Sequence, residues 1–303
     1  MSNIIRFYQK EILAFLGCLF VVGVIVWTTL LCILYRFYSK QGFIYLYHPP
    51  KYAKYGKPYY TFKSKMVALF WKSKLNPLYM FDENLKKIYI KREVYGYYYY
   101  CYKATTTIIY FHGNATNFTE ILFGIKTLSE KLDVNVLVIE YPGYGERTGK
   151  LPSRCVILND LKRNLESIKN KLKSKNIILY GNSIGASVAL HAATLLNDCK
   201  GIILQNPFLS LYSMLSIYKV PYWFKWLFYP ENWDNGKIIK TQLDEMIPIL
   251  MLCAEDDEII PIEQKEKLYS LCKNVEMIKY EGLHNQSLSI HEFKRVKQWL
   301  SLT

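Results

Sequence analysis

One segment constrains this chain more than any other: Ile177-Ile-Leu-Tyr-Gly-Asn-Ser-Ile-Gly-Ala-Ser-Val-Ala-Leu190. Four residues of strand character lead into Gly181-x-Ser183-x-Gly185, and a small-residue run of helical character follows. A serine at such a corner sits on a sharp, strained turn. Glycines two before and two after leave the backbone room to fold back, so the hydroxyl stands clear at the sheet edge. The next residue, Ile184, opens a helix, and its N–H is available to a developing oxyanion. Ser183 is therefore a candidate nucleophile. The bare pattern also marks ordinary turns. The strand before it favours the nucleophile, as do Ala186, Ala189, Ala192 and Ala193 after it, which let a helix pack closely on a sheet.

Serine is a poor nucleophile at neutral pH and needs a base, held in the right tautomer by a carboxylate. On this kind of corner the partners follow in the order acid, then histidine, each at the end of a strand. Pro248 to Ala254 reads as a buried strand and runs into Glu255-Asp-Asp-Glu258; Val275 to Tyr280 reads as another, followed by Glu281-Gly-Leu-His284. Of the five histidines, His48 precedes the fold, His191 and His291 fall in helical stretches, and His112 precedes Gly113. That leaves His284 as the base. Asp257, at the turn before Ile259-Ile-Pro261, is the favoured acid, with Asp256 in reserve. A second oxyanion donor is expected after the strand Thr106 to Phe111, where Gly113 permits a tight turn; Asn114 is assigned, with Ala115 as the alternative.

These residues together resemble the α/β-hydrolase superfamily, and in particular its membrane-anchored eukaryotic branch, the Bem-type hydrolases and depalmitoylase-related proteins. The matching segments are Tyr110-Phe-His-Gly-Asn114, Tyr141-Pro-Gly-Tyr-Gly145, Leu179-Tyr-Gly-Asn-Ser-Ile-Gly185, Gln205-Asn-Pro-Phe208, Asp257-Glu-Ile-Ile-Pro261 and Gly282-Leu-His-Asn285, in order over about 88–301. The resemblance implies Ser183 as nucleophile, Asp257 as acid and His284 as base, with Asn114 and Ile184 shaping the oxyanion hole. Two positions depart from the family pattern, Arg147 where a serine is usual and Glu140 where aspartate is common. The cysteine-rich N-terminus of the depalmitoylases has no counterpart here.

Residues 12–35 carry no charge, between Glu11 and Arg36. The run exceeds the ~20 apolar residues that cross a bilayer, and it lacks the short core and small-residue exit of a cleaved signal. It is expected to be a single transmembrane helix after a short tail (1–11). Lysine and arginine are denser after the run than before it, which favours a cytosolic catalytic domain, at the plasma membrane or an endomembrane. Two glycosylation sequons, at Asn114 and Asn285, lie beside the candidate site and point the same way, since glycans there would obstruct it.

The seven cysteines are scattered without a Cys-x-x-Cys pair, so neither a zinc site nor a disulfide framework is implied. No metal or organic cofactor is expected. The net charge of +14 fits attraction to anionic lipid as well as a lysine-rich background; no motif accompanies it that would suggest nucleic acid. Residues 36–87 form a basic, aromatic connector. From 88 on, strands are expected near 88–94, 97–103, 106–111, 134–140, 177–181, 202–206, 248–253 and 275–280. Helices are expected near 118–131, 153–173, 184–196, 261–272 and 290–300. This alternation predicts an α/β fold over 88–303, a mostly parallel eight-stranded sheet flanked by helices. It is interrupted by an insertion at about 209–245, dense in rings. Trp223, Trp226 and Phe228 there form either an acyl-chain pocket or membrane-touching lid, or a cap packed on the core.

The expected function is thus a membrane-anchored serine hydrolase acting on an ester or thioester of an acylated lipid or protein. The alternatives are a catalytically silent scaffold of the same fold and a lipid acyltransferase. The oligomeric state is not legible.

Overall fold

The computed structural model describes residues 17, 20–30, 47, 84–90, 93–147, 151–172, 176–196 and 198–303. The chain divides into two units, Met1–Leu46 and Tyr47–Thr303. In the first, residues 20–30 are helical, and Phe20, Ile25 and Trp27 are exposed. Thr28 turns its hydroxyl back onto the carbonyls of Val24 and Ile25 (2.9 and 3.0 Å). That satisfies a polar group within an apolar run. The remainder of the expected span 12–35 lies outside the described residues, apart from residue 17. So does the connector 36–87, apart from Tyr47 and residues 84–87. Among the described residues no helix is long and apolar enough to cross a membrane.

The second unit is built on one eight-stranded sheet. Its strands are β1 (Leu85–Ile90), β2 (Glu93–Tyr99), β3 (Thr106–Phe111), β4 (Asn135–Ile139), β5 (Asn176–Asn182), β6 (Gly201–Gln205), β7 (Ile249–Ala254) and β8 (Val275–Tyr280). They lie in the order β1-β2-β4-β3-β5-β6-β7-β8. The sheet is mixed rather than wholly parallel: β2 runs antiparallel to both β1 and β4, while β4 through β8 are parallel neighbours. The first two strands fall several residues earlier than expected. The Tyr97–Tyr100 run closes β2 because the chain turns at once: Ala104 N–H bonds Cys101 O (3.0 Å) and Asn135 Oδ1 takes Cys101 N–H (2.9 Å). Within that run Tyr97 and Tyr99 are buried and Tyr100 is exposed, the alternation a strand with one open face requires.

The helices of the alternating part are α1 (Phe118–Leu132), α2 (Arg154–Leu172) and α3 (Ile184–Ala193), then α7 (Ile262–Tyr269) and α8 (Ile290–Leu302). The insertion supplies α4 (Leu211–Ile217), α5 (Tyr222–Lys225), a 3₁₀ turn (Trp226–Glu231) and α6 (Asn235–Thr241). α1 packs with α8, and α3 with α2 and α6. Ile108, Tyr110, Val136, Val138 and Ile178 share one core cluster with Leu122, Ile125 and Trp299. Their neighbours Ile109, Phe111, Leu137, Ile177 and Leu179 are equally buried outside that cluster. Both faces of the central strands are therefore covered, which is why those strands read as unbroken apolar runs. The parallel strands all end on one edge, where the loops after β3, β5, β6, β7 and β8 gather.

Candidate active site

At the end of β5 the backbone folds back through Ser183 at φ 56°, ψ −120°. A non-glycine residue there costs on the order of 1–3 kcal/mol and persists only if the surroundings hold it. They do. Ser183 N–H bonds Gln205 O at the end of β6 (2.9 Å), and Ser183 O accepts Ala186 N–H (3.0 Å) as α3 begins. The two glycines are there for close approach. A Cβ on Gly181 would meet the backbone of Gly185 and Ala186, and one on Gly185 would run into the carbonyls of Phe111 and His112. α3 thus starts hard against the end of β3, with Ile184 at its first position, where a backbone N–H has no acceptor within the helix.

The loop after β3 lies alongside. A Cβ on Gly113 would sit 3.7 Å from Ser183 Cβ, so this turn packs directly against the serine. Asn114 Oδ1 accepts Tyr144 O–H (2.8 Å) and Ala115 N–H (2.9 Å), with Ala115 in the left-handed region at φ 55°. Beneath it His112 is fully buried. Its Nδ1 is 2.8 Å from Gly113 O, and its Nε2 is 3.1 Å from Glu140 Oε1. Tyr141 O–H bonds His112 O (2.9 Å), and Glu140 Oε2 accepts Phe118 N–H at the start of α1 (3.1 Å). The two departures from the family pattern acquire a structural sense here. Glu140 braces both the 112–114 turn and α1. Arg147 donates to Glu140 O (2.9 Å), grips both oxygens of Asp160 (2.7 and 2.8 Å) and lies 4.8 Å over the Tyr95 ring.

On the other side of Ser183, the loops after β7 and β8 meet. His284 Nδ1 lies 2.9 Å from both carboxylate oxygens of Asp257. A carboxylate only accepts, so Nδ1 carries the proton and Nε2 is the basic atom. Asp257 Oδ1 also takes the N–H groups of Ile259 (3.0 Å) and Ile260 (2.8 Å), and Oδ2 takes Lys265 Nζ (2.7 Å). Burial pushes this carboxyl's pKa up, but the bonds from His284, the Ile260 N–H and Lys265 outweigh it and hold it down at about 2. Asp256, the reserve acid, is exposed and makes none of these contacts, whereas Asp257 is buried.

His284 is fixed through its backbone too: its N–H bonds Glu258 Oε2 (2.9 Å) and its carbonyl accepts Asn206 Nδ2 (2.9 Å). Asn206 is itself left-handed (φ 46°), and its Oδ1 takes Ala254 N–H (2.8 Å). Ser183 and His284 therefore hang on consecutive residues, Gln205 and Asn206, at the end of β6. In the sequence Gln205 and Asn206 stand out only as part of the Gln205-Asn-Pro-Phe208 motif, and Lys265 does not stand out at all. Ile262, Lys265 and Leu268 recur every third residue along α7, so the lysine occupies the position of a core side chain.

The insertion reaches the same edge. Tyr218 O–H bonds Ile259 O (3.0 Å) in the acid loop, and Ser213 and Leu209 both bond Gln264 Oε1 on α7. Trp233 is buried at its base and donates Nε1–H to Tyr47 O–H (2.9 Å). Tyr222 and Tyr229 are exposed and Phe228 is half-buried; the side chains of Trp223 and Trp226 lie outside the described residues.

Comparison with known proteins finds similar sequences and similar folds. Residues 103–233 match the family described as serine aminopeptidase, S33. The chain is 35% identical to protein bem46 of Schizosaccharomyces pombe over 172 residues, 55% of this chain and 56% of that protein. It is 29% identical over 201 residues to an uncharacterized membrane protein of Saccharomyces cerevisiae, covering 61% of this chain and 66% of the other. The matches thus span less than two thirds of either relative. Among solved structures, the esterase Pf2001 of Pyrococcus furiosus superposes with a TM-score of 0.57 at 19% identity, over 74% of this chain and 93% of the esterase. That likeness is one of fold.

Proposed function

We propose that this chain, which belongs to the α/β-hydrolase superfamily, is a membrane-anchored serine hydrolase that cleaves a carboxylic ester or thioester through an acyl-enzyme. Ser183 Oγ attacks the carbonyl, and His284 Nε2 takes its proton and returns it to the leaving alcohol or thiol. Asp257 holds the imidazole in the Nδ1–H tautomer and offsets the imidazolium charge. The oxyanion rests on the N–H of Ile184 and one from the Asn114–Ala115 turn. Water, activated by the same histidine, then releases the acid.

One observation carries this reading: a strained serine and a carboxylate-bound histidine are suspended from adjacent residues at the end of β6. A solved neighbour named as an esterase supports an ester as the substrate bond. An acyl chain of lipid or acylated-protein origin is favoured by the ring-rich insertion beside the acid loop and by the apolar, exposed helical residues 20–30. In this reading residues 12–35 anchor the enzyme in the bilayer and the hydrolase unit faces the cytosol.

The test compares palmitoyl-thioester, lysophospholipid and p-nitrophenyl ester hydrolysis by the wild type and Ser183→Ala, with an aminoacyl anilide reporting the amide chemistry of the matched family. Turnover of an acyl ester or thioester by the wild type alone is expected. Equal turnover by both proteins, or cleavage of the anilide only, would overturn the reading.

A further inference from the structure

Lys265 is an anomaly in its own helix. It lies on the buried face of α7 with no exposed surface, where an aliphatic residue would cost nothing to bury. A buried ammonium is tolerated only where it is paired and hydrogen-bonded. Two acceptors meet it, Ala254 O and Asp257 Oδ2, each at 2.7 Å. These two groups bracket the acid loop: Ala254 is the last residue of β7, and Asp257 is the carboxylate that receives His284 Nδ1–H. One ammonium therefore pins the loop at both ends.

Its electrostatic consequence reaches further. A carboxylate facing only an imidazole lends its whole charge to the imidazolium that forms when the imidazole takes up a proton. Here one oxygen already serves a cation, so Asp257 and Lys265 together are neutral and protonation of His284 leaves these three buried groups at +1. Of the other ionisable neighbours, Glu258 adds negative charge near His284, but from an exposed position where water screens it. From β7, Cys253 is buried and its pKa pushed up to about 12, so it stays a neutral thiol. From β8, burial likewise raises the Tyr280 phenol and keeps it neutral. Glu266 is engaged by Lys279 (2.6 Å), and Glu258 accepts the His284 backbone N–H (2.9 Å).

We propose that Lys265 is a positioning residue of this site: acting through Asp257, it weakens the hold of His284 on a proton and so extends the free-base form of the imidazole to lower pH. This rests on the serine-hydrolase reading above and deepens it.

The experiment is the second-order rate of fluorophosphonate labelling against pH, for the wild-type chain (residues 1–303), Lys265→Met, Lys265→Gln and Lys265→Arg, with Ser183→Ala as the blank. Labelling requires the free-base imidazole, so the midpoint of its acid limb reads the base directly. The neutral Met and Gln variants are expected to move that midpoint upward by about one unit, the size of effect of a unit charge a few ångströms away in a partly solvated site. Arg, which keeps the charge, is expected to leave it near the wild-type value. Gln retains a donor to the loop and serves if Met does not fold. A loss of packing alone would lower the plateau rate without moving the midpoint. A wild-type midpoint in the neutral variants would overturn the proposal. Absence of wild-type labelling, or labelling that persists in Ser183→Ala, would instead overturn the hydrolase reading itself.

Discussion

Asp257 accepts hydrogen bonds from four residues, and in the proposed enzyme those bonds should be felt in both reactivity and stability. Its folded pKa of about 2 lies below the ordinary carboxylate value, so the group stabilises the fold above about pH 4, and that contribution is lost as pH falls toward 2. The shift corresponds to about 2 kcal/mol. Unfolding in urea at pH 5 and at pH 2 should show the gap between wild type and Asp257→Asn closing by roughly this amount; a constant gap would contradict it. The same substitution leaves the His284 tautomer unenforced and, if the proposed triad acts, should cut turnover on the order of 10⁴-fold, as in established Ser-His-Asp sites. Gly185→Ala acts purely through shape. Its new methyl meets the Phe111 and His112 carbonyls, and a cost of about 1–3 kcal/mol or more should show as a melting temperature lower by several degrees.

At the scale of elements, Asn206 is the knot. Its amide joins the end of β6 to Ala254 at the end of β7 and to His284 beyond β8, and it sits 3.2 Å from Tyr280 Oη. Asn206→Ala should cost about 2–4 kcal/mol for the abandoned buried partners. It should also lower kcat more than it raises KM, because the backbone of His284 loses its anchor; an unchanged kcat would show that His284 is held by other means. None of this was legible beforehand. The elbow segment, the central strands and the position of His284 could be read because each rests on a local pattern: an apolar run, a glycine pair, a turn after a strand. The choice between Asp256 and Asp257 could not, since two adjacent carboxylates are separated only by which one the loop turns inward. The ends of β1 and β2 were misplaced because a tyrosine run continues strand character past the turn at Cys101–Ala104 that stops it. Lys265 was hidden for the opposite reason, a charged residue at a position whose spacing says core.

For the whole molecule, the proposed anchor and the site make separate claims. If residues 12–35 span a bilayer, the chain of residues 1–303 should remain with membranes through alkaline carbonate extraction, and release into the supernatant would contradict the anchor while leaving the site intact. A cytosolic hydrolase unit should carry no N-glycan at Asn114 or Asn285, so glycosidase treatment should not change its mobility. The central claim is that Ser183, His284 and Asp257 act together on an acyl carbonyl. It is tested most directly by mapping the fluorophosphonate adduct by peptide mass spectrometry in the wild type and in His284→Ala. The expected result is a single adduct on the peptide bearing Ser183, formed at least a hundredfold more slowly without the imidazole. An adduct on another residue, or one formed on Ser183 at the same rate in both proteins, would contradict the account.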